Sequence, residues 1–395
     1  MAAILYAWEL GAGLGHVGAF MPMAKALRGA GHDLHWAVAH PADVGAFLAA
    51  AGERWLPAPV VGEQMRPGPP LSYADILLRY GYADAQGLLG LVGAWCELMR
   101  LTGARLVLAD HAPTAVLAAR CLELPVMLFS NGFTVPPRRR PLPNMRSWVP
   151  VAEPTLAALD EEACNTINAV LEHFAKPGLR CTADLFDVAE EALITFPELD
   201  HYADRGPARY WGSLPSAGTA CAAPWPALPG PRLFAYLRPQ MAHFAALLDA
   251  LHRLGVATLA YVPGLDPHLR ARHAAPHLVF LEQPADLAQM TRDADGAITY
   301  ASLATTTAFL LAGKPLLLLP GHLEQFLLAR RVEEMGAGLL VNPEQPPGDL
   351  RALLSGLLVE PALRENARAF ATKYAAFDQG AVASNLVRRV AELLS

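Results

Sequence analysis

The chain has 395 residues, 53% hydrophobic and 17% charged, which excludes a disordered chain and gives length for roughly two to three domains. A net charge of -6 argues against nucleic acid as the main partner, because phosphate backbones select basic surfaces. The five cysteines (Cys96, Cys121, Cys164, Cys181 and Cys221) are odd in number and include no Cys-x-x-Cys. They fit neither a disulfide framework nor a zinc site, and point to reduced thiols in the cytoplasm.

In chain order, Met1 to Tyr6 lacks a basic region before its apolar run and reads as a first strand, not a signal peptide. No apolar stretch reaches the ~20 residues that span a bilayer. Ile4 to Trp8 is the first buried strand. Gly11, Gly13 and Gly15 form a loop, and a helix follows from about Val17 to Arg28, ended by Gly29 and Gly31. Leu34–Val38 is the next strand. Ser72 to Leu101 reads as mostly helical, in more than one piece because of Gly81, Gly87, Gly90 and Gly93. Further strands are expected at Leu106–Ala109, Val126–Phe129 and Leu193–Phe196. The Arg138-Arg139-Arg140 run, in a Pro-rich segment, reads as a solvated turn.

From Arg205 to Arg232 the chain is rich in Pro, Gly and Ala and has little periodicity, so the domain boundary is placed there. Alternation then resumes, with strands expected at Leu233–Tyr236, Thr258–Tyr261, Leu278–Leu281, Ala297–Thr299, Leu316–Leu319 and Leu339–Val341. The end is helical from about Gly348 to Leu394, with breaks near Pro361 and Gly380. Strand–helix alternation on both sides of one linker implies an α/β protein with two doubly wound, Rossmann-like parallel sheets facing a cleft. The expected division is a domain at 1–212, a linker at 213–231, a second domain at 232–378, and a terminal helix at 379–395 that packs back on the first domain.

Ligands of such sheets bind beyond the carboxyl ends of the strands. Gly13-Leu14-Gly15-His16-Val17-Gly18 formally matches Gly-x-Gly-x-x-Gly. The acid that would hold a dinucleotide ribose is replaced by Ala39-His40-Pro41, and Asp43 reads as a cap of the next helix, so a nicotinamide site is disfavoured. His16 at this turn has the pKa range of a general base. Asp110 ends a strand at the same edge and could orient that imidazole, or cap the following helix. Asn131-Gly132-Phe133 ends another strand and either shapes a pocket or makes a plain turn. The loop Tyr300-Ala301-Ser302 leads into a helix rich in threonine, whose first N–H groups suit a phosphate. Glu324-Gln325 follows the next strand.

These residues carry a resemblance. Gly13-Leu14-Gly15-His16, the run Met23 to His32, Tyr210-Trp211-Gly212-Ser213-Leu214, and above all Asp295 to Gly338 resemble the nucleotide-sugar-dependent glycosyltransferases of the GT-B fold. The likeness is to bacterial relatives of the UDP-glucuronosyltransferases and the macrolide and flavonoid glucosyltransferases. It implies an acceptor-binding N-terminal domain and a donor-binding C-terminal domain. It further implies inverting transfer from a UDP- or dTDP-sugar to a hydroxyl of a small, lipophilic acceptor, with no metal and no cofactor beyond the nucleotide-sugar. By position, His16 and Asp110 would be catalytic. Gln283, Tyr300, Ser302, Thr305, Thr306, Glu324 and Gln325 would bind the donor, and Gly15, Asn131 and Phe133 the acceptor.

The sequence departs from the family in its diphosphate loop. Tyr300-Ala301-Ser302 stands where the family has His-Gly-Gly, and Ala308 stands where it has a ribose-binding Glu. Arg238, in Tyr236-Leu237-Arg238-Pro239, could restore positive charge toward the diphosphate. Two other readings therefore stay open: a non-catalytic relative, either nucleotide- or sugar-binding or a partner protein, and a nucleotide-sugar epimerase.

Overall fold

The computed structural model describes residues 1–215 and 221–395; the remaining residues, 216–220, belong to the expected linker. The described chain divides into two compact units. One comprises Met1–Phe196, Tyr202–Leu214 and Gly380–Ser395, the other Pro197–His201 and Pro215–Gln379. Among the described residues no helix is long and apolar enough to cross a membrane.

The first unit holds a six-stranded parallel sheet: β1 (Ala3–Trp8), β2 (Asp33–Val38), β3 (Trp55–Pro57), β4 (Leu106–Asp110), β5 (Val126–Ser130) and β6 (Glu190–Leu193). Their order is β3-β2-β1-β4-β5-β6. The chain winds outward from β1 to one edge, then returns and winds from β4 to the other. The reversal lies between β1 and β4, where Trp8 pairs with Asp110. β4 and β5 are buried along their whole length, as parallel strands covered on both faces must be, and this explains their unbroken apolar runs.

Helix Gly15–Gly29 covers one face and buries Val17, Phe20, Met21, Met23, Ala24 and Leu27, an apolar stripe at helical spacing. Helix Ala381–Leu393 packs against it and buries Val382, Leu386 and Val390. Each such aliphatic burial stabilises by roughly 1.5–3 kcal/mol. Arg389 Nε also donates to Glu190 at 2.6 Å, tying this last helix to β6.

The second unit repeats the architecture with β7 (Arg232–Tyr236), β8 (Ala257–Tyr261), β9 (Leu278–Leu281), β10 (Gly296–Thr299), β11 (Leu316–Leu318) and β12 (Gly338–Leu340). The order β12-β11-β10-β7-β8-β9 puts the reversal between β7 and β10, where Tyr236 pairs with Thr299. Both sheets are therefore doubly wound and parallel, as the alternation predicts.

Some local expectations shift and others hold. The last strand of the first sheet is Glu190–Leu193, not Leu193–Phe196; Ile194 to Phe196 are buried beyond its end. Trp55–Pro57 adds an edge strand too short to leave a periodic signature. Ser72 to Leu101 divides into helices Tyr73–Arg79 and Ala85–Leu101, each with a side-chain cap, Ser72 and Asp84. Asp43 does not cap its helix. His40 holds the cap position, and Asp43 lies in the first turn. The arginine run lies at the surface, with Arg138 paired to Asp187 and Glu191 at 2.6 Å each.

Candidate functional site

At the reversal of the first sheet, Gly11 and Gly13 adopt positive φ (93° and 77°), letting the chain turn sharply from β1 into helix Gly15–Gly29. His16 is the second residue of that helix. Its Nδ1 lies 2.9 Å from Asp110 Oδ1. A carboxylate accepts, so the proton belongs on Nδ1 and the lone pair on Nε2. A Cβ on Gly11 would lie 2.6 Å from that Nε2, so the backbone approaches the basic nitrogen at a distance only glycine permits. His40 Nε2 donates to the Gly11 carbonyl at 3.0 Å and steadies the turn. Trp8 stacks on the imidazole at 5.2 Å.

Asp110 is buried, and its second oxygen accepts from the Tyr6 hydroxyl at 2.8 Å. Burial, and then the Asp110 charge, push the Tyr6 phenol well above its usual range, so it stays a donor. Asp110 thus engages the imidazole and the phenol, while the cap position of the following helix falls to Ala112. Beside it, His111 holds φ 48°, and its ring lies 6.3 Å from that of His16. Burial, with a smaller contribution from His16, pushes His111 down to about 3, so it is neutral at working pH. Its Nε2 is buried with no hydrogen-bond partner. Phe133 packs edge-on against this ring at 6.2 Å. Asn131 Oδ1 accepts from the Phe133 N–H at 3.1 Å, a local turn that fixes the loop. Arg205 fastens the same loop through the carbonyls of Gly132 and Val135. Gly15 is exposed at the start of the helix.

Glu9 directly follows β1, ahead of the glycine turn, and is buried. Its carboxyl accepts from the Thr114 N–H at 2.8 Å and from the Thr114 hydroxyl at 2.5 Å, capping helix Pro113–Cys121 from a distance. Burial raises it to about 7 against the lowering effect of these bonds.

At the reversal of the second sheet, Arg238 follows β7 and Tyr300 follows β10. The guanidinium lies over both Tyr236 and Tyr300, 5.6 and 5.4 Å from the ring centres, and donates to the Tyr236 hydroxyl at 3.2 Å. The two rings meet edge to face at 5.0 Å. Ala301 then takes φ 61°, a left-handed conformation that costs an alanine roughly 1–2 kcal/mol. Ser302 holds the cap position of helix Leu303–Leu311 without a side-chain bond to it, so the leading N–H groups have no side-chain cap. Thr305 and Thr306 are buried, and the Thr306 hydroxyl has no hydrogen-bond partner.

The other expected donor residues lie beyond the carboxyl ends of two other strands of this sheet. Glu324 and Gln325 begin helix Leu323–Glu334 after β11, and Gln325 Oε1 accepts from the Gly321 N–H at 2.8 Å. Gln283 follows β9 and is exposed, its amide oxygen 2.9 Å from Cys221 Sγ. Among the described residues no group of three or more His, Cys, Asp or Glu side chains could hold a metal ion.

No protein-family model matches the chain, and no curated protein does. Solved structures match along its length. The glycosyltransferase VinC, crystallised with dTDP, is similar at 20% identity and a TM-score of 0.69, over 98% of this chain and 99% of that one. The spinosyn rhamnosyltransferase SpnG is similar at 17% identity and a TM-score of 0.69, over 98% and 99%. SsfS6 of Streptomyces sp. SF2575, complexed with thymidine diphosphate, is similar at 19% identity and a TM-score of 0.67, over 98% and 100%. The chain has the GT-B glycosyltransferase fold.

Sequence reading of this GT-B chain singled out His16, Asp110, Arg238 and Tyr300 but missed Tyr6, Glu9, His111 and Tyr236. A signal for the first existed: a hydroxyl within the apolar run Ile4 to Trp8 must find a partner when buried. Glu9 carries the same signal, since a carboxyl at the end of a buried strand needs donors. His111 gave none beyond its place after Asp110.

Proposed function

We propose that the protein is a nucleotide-sugar-dependent glycosyltransferase acting on a small, lipophilic hydroxylated acceptor. The observation that carries this reading is the His16–Asp110 pair at the strand-order reversal of a GT-B sheet. The similarity to VinC and SsfS6, both solved with thymidine diphosphate, and to SpnG, solved with spinosyn aglycone, supports a nucleoside-diphosphate donor and a small-molecule acceptor.

In this reading the first unit holds the acceptor, with Gly15, Asn131 and Phe133 beside it, and the second holds the donor. His16 Nε2 takes the proton of the acceptor hydroxyl, and Asp110 stabilises the imidazolium. The acceptor oxygen forms its bond to the anomeric carbon as the bond from that carbon to the diphosphate oxygen breaks, with inversion. Arg238, Tyr300, Ser302 and the first N–H groups of helix Leu303–Leu311, near Thr305 and Thr306, receive the negative charge of the leaving diphosphate, so the step is assigned no metal. Glu324 and Gln325 bind sugar hydroxyls, and Gln283 the base or ribose. The unpaired cysteines fit a reducing, cytoplasmic setting.

Calorimetric titration with UDP, dTDP, GDP and their sugar conjugates tests the donor half. Base-selective binding is expected; silence across the panel would sink the transferase reading. One observation favours a second reading, a non-catalytic relative: the backbone strain at Ala301 within the altered loop. Nucleotide binding without turnover over a broad acceptor panel would select it.

A further inference from the structure

We propose that Tyr6 is a positioning residue for the His16–Asp110 pair, tuning the basicity of His16 through the second oxygen of Asp110. The inference rests on the reading of His16 as the base. Three observations carry it.

First, the register of β1 on β4 pairs Trp8 with Asp110 and Tyr6 with Leu108. Alternation along each strand then places Tyr6, Trp8 and Asp110 on one face of the sheet. All three act on one imidazole: Trp8 by stacking, Asp110 by its first oxygen, and Tyr6 through the second. Second, the Tyr6 ring is held independently of its hydroxyl. It stacks on Phe20 at 4.1 Å and meets the edge of Trp36 at 4.8 Å, and the residue is wholly inaccessible to solvent. The hydroxyl is thus not needed to place the ring, yet it makes a 2.8 Å charge-assisted bond. Third, a carboxylate bonded through one oxygen only can rotate about its Cβ–Cγ bond. Occupying Oδ2 holds Oδ1 in line with His16 Nδ1, which aims Nε2 past Gly11.

The electrostatic consequence has a definite sign. Tyr6 draws on the Asp110 charge, so the carboxylate stabilises the imidazolium less than it would alone, and His16 stays neutral to a lower pH. The titratable groups around His16 include Asp110 and His111 from the end of β4, Tyr6 from β1, His40 behind Trp8 and Gly11, Tyr73 behind His111, and Glu9 beyond Tyr73. Tyr6 and Tyr73 are pushed up by burial and stay neutral, and His111 is neutral above about 3. Glu9 titrates at about 7 and is removed from the measurement by working in a Glu9→Gln background.

The experiment is NMR titration of the His16 imidazole nitrogens in the full chain, assigned with His16→Ala. Tyr6→Phe keeps the ring and is expected to raise the His16 pKa by about 0.5–1 unit, moving the acid limb of kcat/KM upward by the same amount. In an Asp110→Asn background the same change should have no effect, a result that a packing role would not produce. If Tyr6→Phe fails to fold, 3-fluorotyrosine at position 6, a stronger donor of unchanged shape, should lower the His16 pKa. An unmoved or lowered titration in Tyr6→Phe, or an unmoved or raised one with 3-fluorotyrosine, overturns the inference. Full transfer activity in His16→Ala would instead overturn the reading of His16 as the base, and the titration would still report on Tyr6.

Discussion

The two strand-order reversals use the same topology and opposite chemistry. Between β1 and β4 the polar groups are buried or half-buried and chained: Tyr6 to Asp110 to His16, each bond under 3 Å. Between β7 and β10 the charge is the exposed Arg238, laid across two tyrosine rings, next to a helix start without a side-chain cap. A buried chain of hydrogen bonds fixes one tautomer and suits proton transfer. An exposed, permanently charged guanidinium suits recognition of an anion that arrives already ionised. The same topology thus sets an imidazole nitrogen at one reversal and an exposed guanidinium at the other, and the difference lies in burial.

The sharpest way to break this contrast is His16→Ala. Transfer should fall about 10²–10⁴-fold in kcat while nucleotide affinity stays nearly constant, measured by steady-state kinetics and calorimetry. A large loss of donor affinity would move His16 out of the base role. Next comes Glu9, which tests whether the first unit buries its charges. Its folded pKa of about 7 exceeds the unfolded value, so the stability it contributes is full below pH ~4.5 and is lost as pH rises through 7. Urea unfolding of the native chain should lose roughly 3 kcal/mol from this source between pH 4.5 and 8, and Glu9→Gln should flatten that slope. A parallel pH profile for both proteins would show that Glu9 stays ionised.

On the second unit, Arg238→Ala should weaken nucleoside-diphosphate binding about 10- to 100-fold and leave the nucleoside unaffected. Equal losses for diphosphate and nucleoside would mean that Arg238 supports the fold and not the phosphate. The smallest effect is Ala301→Gly. Relief of the left-handed alanine should stabilise by up to ~1 kcal/mol, the larger conformational freedom of unfolded glycine offsetting part of the gain. Denaturant midpoints check it, and a loss of stability would show that the buried methyl outweighs the strain.

Much of this was legible in the chain itself. Unbroken apolar runs such as Leu106 to Ala109 mark parallel strands covered on both faces, because no polar face is needed there. Strand–helix alternation marks the doubly wound class, and Gly11 to Gly15 mark a tight turn into a helix. His16, Asp110 and Tyr300 stood out because each lies at the carboxyl side of a strand, where such folds place their ligands, and Arg238 because it could replace charge missing from the diphosphate loop. The boundaries of β6 and the existence of β3 were not legible, since three or four residues carry too little pattern to outweigh their surroundings.

Tertiary structure alone decided the pairings. Tyr6 and Asp110 are 104 residues apart, and only the β1–β4 register brings a hydroxyl onto the free carboxylate oxygen. Glu9 caps a helix 105 residues away for the same reason. Arg238 finds Tyr300, 62 positions further along the chain, because β7 and β10 are neighbours. Composition and period specify which elements form, since those depend on near neighbours along the chain. Which side chains then share a proton or a charge depends on strand order, which long-range packing of the whole sheet selects.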